Sequence, residues 1–150
     1  MNDLDFDENG YLTPYDIIDI DWLHLEETFV FSSVRTTIFI QFKKLVAELT
    51  AIGGKKFDIW IDGSFASTKT SPNDMDLVCF VDEADYDRYQ KELVAMRKNF
   101  SLLDIYFVKV YPQEHSSYFL TNFDKLDWLH FFSRDRQNRK KGILKIRIEL

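Results

Sequence analysis

Asp74 and Asp76 are separated by one residue and stand at the start of an apolar run, residues 77–81. The run predicts a strand, and successive side chains of a strand point to opposite faces, so both aspartates share one face. Two carboxylates that meet at a strand end repel each other and add no stability by themselves. They are suitable ligands for a hard cation such as Mg²⁺, which in turn would bridge the phosphates of a nucleotide.

A glycine–serine pair, Gly63 and Ser64, lies just after the apolar segment 56–62 and ten residues ahead of Asp74. Glycine lets a backbone turn tightly and approach a ligand closely. Backbone amides at such a turn, together with the Ser64 hydroxyl, can hold a phosphate group. Lys69 lies between the turn and the aspartates and can add a positive contact.

Each of these features also has a purely structural explanation. The sequence Pro72–Asn73–Asp74 is a turn signal in its own right. Asp104, inside the apolar segment 102–111, can be an ordinary edge-strand acid. The basic segment 134–147 is either a solvated loop and strand or a surface that contacts phosphate and acceptor. The spacing of the three histidines indicates neither zinc nor a catalytic triad.

Alternating strand and helix patterns must position these residues. Apolar residues three or four apart, from Val34 to Leu49, predict a helix over 33–51, with Ser32 or Ser33 as its cap and Gly53–Gly54 at its end. The further elements are strands at 56–62, 75–82, 102–111 and 142–150, helices at 82–100 and 116–132, and a basic loop at 133–141. Strand 75–82 is apolar on both faces, which indicates a strand covered on both sides. We therefore predict one domain over 1–150, with an α/β (α+β) fold built on a short mixed sheet flanked by helices.

Composition narrows the classes of function. The 150 residues are 45% hydrophobic and 29% charged, with a net charge of −6, and nine carboxylates precede Arg35, the first Lys or Arg. An acidic chain of this kind is not a generic nucleic-acid binder. The acidic N-terminal sequence predicts no secretory signal, no apolar run is long enough to cross a membrane, and a single cysteine, Cys79, excludes internal disulfides. We expect a cytoplasmic protein with a buried, inert thiol.

The stretch Gly63–Ala66 followed by residues 73–76 (Asn-Asp-Met-Asp) resembles the signature of the DNA polymerase beta-type nucleotidyltransferase superfamily. In small members of the superfamily, the glycine–serine motif is followed at this interval by two such aspartates. A third carboxylate lies on a later strand, for which Asp104 is the matching candidate. The chain is also similar along nearly its whole length to small uncharacterised bacterial nucleotidyltransferase-like proteins, through "DENGYL" at 7–12, "IDGSF…K…PNDMDL" at 61–77 and "DR…KGILKI" at 135–146.

The resemblance implies a nucleotidyltransferase-like fold and a metal-dependent transfer of a nucleoside monophosphate from an NTP to a hydroxyl. It implies that Asp74, Asp76 and Asp104 hold Mg²⁺ or Mn²⁺ and that Gly63 and Ser64, with Lys69, contact the nucleotide's phosphates. It also implies a protein, tRNA or small-molecule acceptor, in a toxin–antitoxin or phage-defence setting. Because the sequence predicts no helical bundle beside the core, we expect a partner protein or second copy to complete the cleft.

One departure weakens this interpretation. Where minimal nucleotidyltransferases carry Arg-Gly after the alanine, this chain has Ser67–Thr68, so the loop lacks a cation and a flexible residue. The alternative is therefore a catalytically inactive nucleotidyltransferase-like binding module, acting as an antitoxin or regulatory subunit.

Overall fold

The computed structural model describes residues 4–52 and 56–149. Its centre is a five-stranded mixed sheet of β3 (Ile17–Asp19), β4 (Lys56–Asp62), β5 (Met75–Asp82), β6 (Leu103–Val110) and β7 (Ile143–Glu149), in the order β3-β7-β4-β5-β6. Strand β4 is antiparallel to both of its neighbours, whereas β5 runs parallel to β6 and β3 parallel to β7. The predicted fold class, a short mixed sheet flanked by helices, is confirmed.

Helices lie on both faces of this sheet. They are α1 (Trp22–Phe29), α2 (Ser33–Ala51), α3 (Glu83–Arg88), α4 (Gln90–Asn99) and α5 (Tyr118–Phe132). A large apolar core unites one face with α1, α2 and α4. A smaller core on the other face joins Trp60, Val78 and Phe80 of the sheet to Phe132 of α5. Strand β5 is buried on both faces for most of its length, as its continuous apolar sequence predicts. Within the described part of the chain, no helix is both long and apolar enough to cross a membrane.

Helix α2 has the bounds that the sequence predicts. Ser32 caps its start, since its hydroxyl accepts a hydrogen bond from the Arg35 amide. The glycines predicted to end it, Gly53 and Gly54, lie outside the described residues. Its buried stripe differs from the predicted one: Val46 is only half-buried, and Phe39 is buried as well. Val34 is 39% exposed and Arg35 is fully buried in its place.

The single helix predicted over 82–100 is wrong. Two helices, α3 and α4, are separated at Tyr89, whose φ of −110° and ψ of 25° leave the helical region. Helix α3 buries no side chain, whereas α4 buries Leu93 and Met96. The break therefore lets α4 turn its apolar side to the core independently of α3.

The N-terminal elements were not predicted. Besides β3 and α1 they comprise a small antiparallel pair, β1 (Asp5–Phe6) with β2 (Leu12–Thr13). Its turn is held by Asp7, whose carboxylate accepts hydrogen bonds from the amides of Asn9 and Tyr11. Strands of two or three residues are too short for an alternating pattern to reveal them.

Candidate functional site

Three carboxylates form one row across three neighbouring strands. In the ladder, Asp62 of β4 lies opposite Asp76 of β5, and Asp76 lies opposite Asp104 of β6. Residues directly opposite in a sheet project from the same face. Asp104 therefore lies on the same face as Asp76, and the separation of these two carboxylates onto opposite faces, which would have removed the candidate site, does not occur.

The row lies at the edge of a covered surface. The preceding row on the same face, formed by Trp60, Val78 and Tyr106, is apolar, and Tyr106 contacts Trp128 of α5. The acidic row is one row further along the same face. It lines a cleft together with Phe131 and Phe132 at the end of α5.

Asp76 is the centre of the row and its pKa is raised to about 6. Desolvation by burial is the largest cause, followed by the negative charges of Asp74 and Asp104, while Lys141 acts in the opposite direction. Asp74 precedes β5 directly and also lines the cleft. The cluster therefore carries more negative charge than the protein itself compensates, and a bound cation would stabilise it.

Gly63 is required at its position for two reasons. Its φ of +75° is one that side-chain-bearing residues rarely adopt. A β-carbon there would also overlap the Asp76 carboxylate. The glycine thus makes room for the central acid of the row, a role that the sequence alone does not reveal.

Asp62 is a site residue that the sequence analysis missed. It is 3% exposed, and its Oδ2 lies 3.0 Å from the Nζ of Lys141. Its Oδ1 is buried and has no hydrogen-bond partner. Burial raises the pKa of Asp62 to about 6, with Lys141 opposing the shift. Two features of the sequence indicated it. Asp62 lies two residues after Trp60, so both side chains project from the same face of the strand, and it directly precedes Gly63.

The residues predicted to contact phosphate lie close to the acidic row. Gly63, Ser64 and Lys69 line one cleft together with the acidic row, and the Lys69 side chain is exposed. The loop between Gly63 and Lys69 is held from behind by Arg35 of α2, a second residue that the sequence analysis did not select.

The opposite wall of the cleft is basic. Residues 134–141 form a hairpin closed by a bridge between Arg134 and Lys140. Asp135 organises it, accepting hydrogen bonds from the Tyr11 hydroxyl (2.6 Å) and the Arg139 Nε (2.8 Å), and the Tyr11 bond is the largest cause that holds the pKa of Asp135 far below its ordinary value. The cleft has a volume of about 1270 Å³, larger than the ~300–1,000 Å³ of most small-molecule sites.

The three sequence stretches that carry the resemblance meet around this cleft. Tyr11 of the first forms a bridge to Ser67 of the second and a hydrogen bond to Asp135 of the third. Lys141 of the third pairs with Asp62 of the second. Segments far apart in sequence therefore build a single site.

The site fits a divalent cation in its chemistry. Its donors are carboxylate oxygens, which Mg²⁺ and Mn²⁺ prefer. Among the described residues, Lys141 offsets only part of the burial and repulsion that raise the pKa of Asp76, and Asp62 retains an unpartnered oxygen. Within residues 4–52 and 56–149, no three acidic, histidine or cysteine side chains already form a group able to hold a metal.

The chain belongs to the DUF6932 family, a family of unknown function whose pattern matches residues 4–147. No curated protein and no solved structure matches the chain. The family description assigns no activity, so any functional conclusion depends on the chemistry of the cleft and on the motifs described above.

Proposed function

We propose that this DUF6932 member is a divalent-metal-dependent nucleotidyltransferase that moves a nucleoside monophosphate from an NTP onto a hydroxyl group. The observation that carries the proposal is the in-register row of Asp62, Asp76 and Asp104 beside the Gly63 turn. Such a row lowers the stability of the fold through like-charge repulsion and desolvation. Binding of a cation and phosphates at this row would explain why the chain retains it.

In this proposal Asp74, Asp76 and Asp104 hold Mg²⁺ or Mn²⁺. When bound, the metal offsets the charge of the carboxylates and of the phosphates and favours pyrophosphate as leaving group. Gly63, Ser64 and Lys69 orient the β- and γ-phosphates along the loop.

Asp104 accepts the proton of the acceptor hydroxyl. The acceptor oxygen forms a bond to the α-phosphorus, and the bond between that phosphorus and the pyrophosphate oxygen breaks. Asp104 is the exposed member of the row, which leaves its carboxylate accessible to an incoming acceptor.

The shape and charge of the cleft support a second reactant. A volume of about 1270 Å³ leaves space beside a nucleotide. The basic hairpin at 134–141 and the exposed Phe131 border that space. The acceptor is accordingly a macromolecular hydroxyl, of a protein or a tRNA, that enters between the hairpin and the acidic row, where a partner protein or second copy can complete the cleft.

The test is incubation with each of four α-labelled NTPs and Mn²⁺ or Mg²⁺, with bulk tRNA and the product of the adjacent gene offered as acceptors. We expect label in one acceptor with the natural chain, and a loss of about 10²-fold or more with Asp76→Asn and Asp104→Asn. Asp58→Asn is the matched control, since Asp58 is on the same face of β4 but pairs with Arg147. Equal labelling by all three variants would refute the proposed roles.

A non-catalytic binding module is the second candidate. The observation that favours it is that, within the described chain, the acidic side chains do not already form a complete metal-ligand group, while Lys141 already compensates Asp62. Calorimetry separates the candidates. Absence of binding of both Mn²⁺ and NTP favours the module, whereas metal-dependent NTP binding lost in Asp76→Asn favours the enzyme.

A further inference from the structure

Arg35 is a fully buried cation in the first turn of α2. Its guanidinium makes six hydrogen bonds of 2.7–3.1 Å, all to backbone carbonyl oxygens, those of Phe29, Ser64, Phe65, Ser67 and Lys69. The rings of Phe31 and Phe65 lie 4.3 and 4.9 Å from its central carbon. A planar fork of five donors is suited to several carbonyls at once, which a lysine ammonium is not.

In the described part of the chain, every acceptor of Arg35 is an uncharged carbonyl. Burial lowers the pKa of Arg35 to about 10, so the side chain stays protonated at neutral pH. A buried charge without an opposite charge is costly, and proteins rarely retain one. Here it places a positive charge directly behind the loop that faces the acidic row.

Four of the five carbonyls belong to one segment, residues 63–69, which we call the Arg35 loop. Ser67 adds a further link, because its Oγ donates to the Ser64 carbonyl (2.6 Å) and accepts from the Lys69 amide (3.2 Å). The loop is therefore wrapped around one guanidinium. The positions of Ser64 and Lys69, which line the cleft, depend on that centre.

We propose that Arg35 is a positioning residue that makes the Arg35 loop a polyphosphate-binding site. It fixes the loop through the carbonyls and adds positive charge behind it. Lys69 is the only cation within the Arg35 loop. Arg35 adds a second positive charge behind the loop and does not contact the ligand. This inference rests on the proposed function, since it assigns the phosphate side of the same cleft.

The test compares two probes on purified full-length protein, Mn²⁺ alone for the acidic row and inorganic tripolyphosphate for the Arg35 loop. In Arg35→Lys we expect tripolyphosphate affinity to fall about 10- to 100-fold, the range typical of groups that orient ligand-contacting residues. We expect Mn²⁺ affinity to stay within about twofold, because Arg35 makes no contact with the acidic row in the described chain. Arg147→Lys, a surface pair with Asp58, is the matched control and should change neither.

Unchanged tripolyphosphate affinity in folded Arg35→Lys overturns the inference, and so does an equal loss of both probes, which would make Arg35 a general support of the fold. If Arg35→Lys does not fold, Ser67→Ala takes its place, since it removes two links of the loop and leaves Arg35 intact. It too should weaken tripolyphosphate selectively, and no change overturns the inference. A natural chain that binds Mn²⁺ but no tripolyphosphate overturns the phosphate role of the loop, whereas one that binds no Mn²⁺ overturns the proposed metal site.

Discussion

Replacing Asp76 by asparagine removes the central charge of the acidic row and keeps its shape. The pKa of Asp76 is raised from 3.8 to about 6, which at roughly 1.4 kcal/mol per pKa unit corresponds to about 3 kcal/mol against the ionised form. Because the side chain is only partly buried and solvent screens it, we discount this to about 1–2 kcal/mol. In metal-free buffer near neutral pH, Asp76→Asn should therefore be more stable than the natural chain by about that amount.

The sign of the pH dependence follows from the direction of the shift. The folded state binds the Asp76 proton more tightly than the unfolded chain does, so this contribution to stability is fully present below about pH 4 and is lost as pH rises through about 6. The asparagine variant has no such titration. Its advantage over the natural chain should vanish near pH 4 and reach its full size above pH 6. Asp62 has a raised pKa in the same range, so only the difference between the two proteins isolates Asp76.

The assay is urea unfolding and thermal unfolding in EDTA across this pH range, followed by circular dichroism. For a chain of this size, about 1 kcal/mol moves Tm by roughly 2–4 °C. Asp58→Asn is the control of opposite sign, since it breaks a pair with Arg147 and should be equal to or less stable than the natural chain. Adding Mn²⁺ should then reverse the order, because the metal stabilises only a chain that binds it.

An Asp76→Asn variant that is less stable in EDTA at neutral pH would refute the reasoning. It would mean that the carboxylate makes net favourable structural contacts. Stabilisation of the variant by Mn²⁺ to the same extent as the natural chain would refute the metal role separately.

Three further outcomes follow from the geometry. Gly63→Ala should destabilise the fold by about 1–2 kcal/mol or more, from its left-handed φ and its overlap with Asp76, as measured by urea unfolding. Lys141→Met should cost about 3–5 kcal/mol by leaving Asp62 buried and unpaired, and the double variant with Asp62→Asn should recover most of the loss. Burial raises the pKa of the Cys79 thiol, so a thiol reagent should label it only after unfolding, and rapid labelling of the native protein would contradict its placement.

Long periodic segments were predictable from the sequence because many residues repeat the same signal. Helix α2 and strand β5 have the predicted bounds for this reason. Asp74, Asp76 and Asp104 were selected from spacing and resemblance, and the strand register brings Asp76 and Asp104 onto one face. The paired N-terminal strands and α1 are too short to repeat a pattern.

The missed site residues depend on contacts between distant segments, which local sequence patterns show only weakly. Asp62 lies opposite Asp76 because of the register of β4 against β5, and the pattern of either strand taken alone does not show that register. The sequence did carry a signal for Arg35. It lies three residues before Ile38, in phase with the buried stripe, and a charged residue in an apolar phase signals a buried polar role.

Three departures from ordinary protein architecture lie together at one row of the sheet. Asp62 keeps a buried oxygen without a partner, Asp76 carries a raised pKa, and Gly63 has a positive φ and no room for a β-carbon beside the Asp76 carboxylate. The preceding row, with Trp60 and Val78, is part of the smaller apolar core. Proteins usually break such local rules at functional sites. Their coincidence beside the end of α5, where the row lines the cleft, argues that the row is maintained for a ligand.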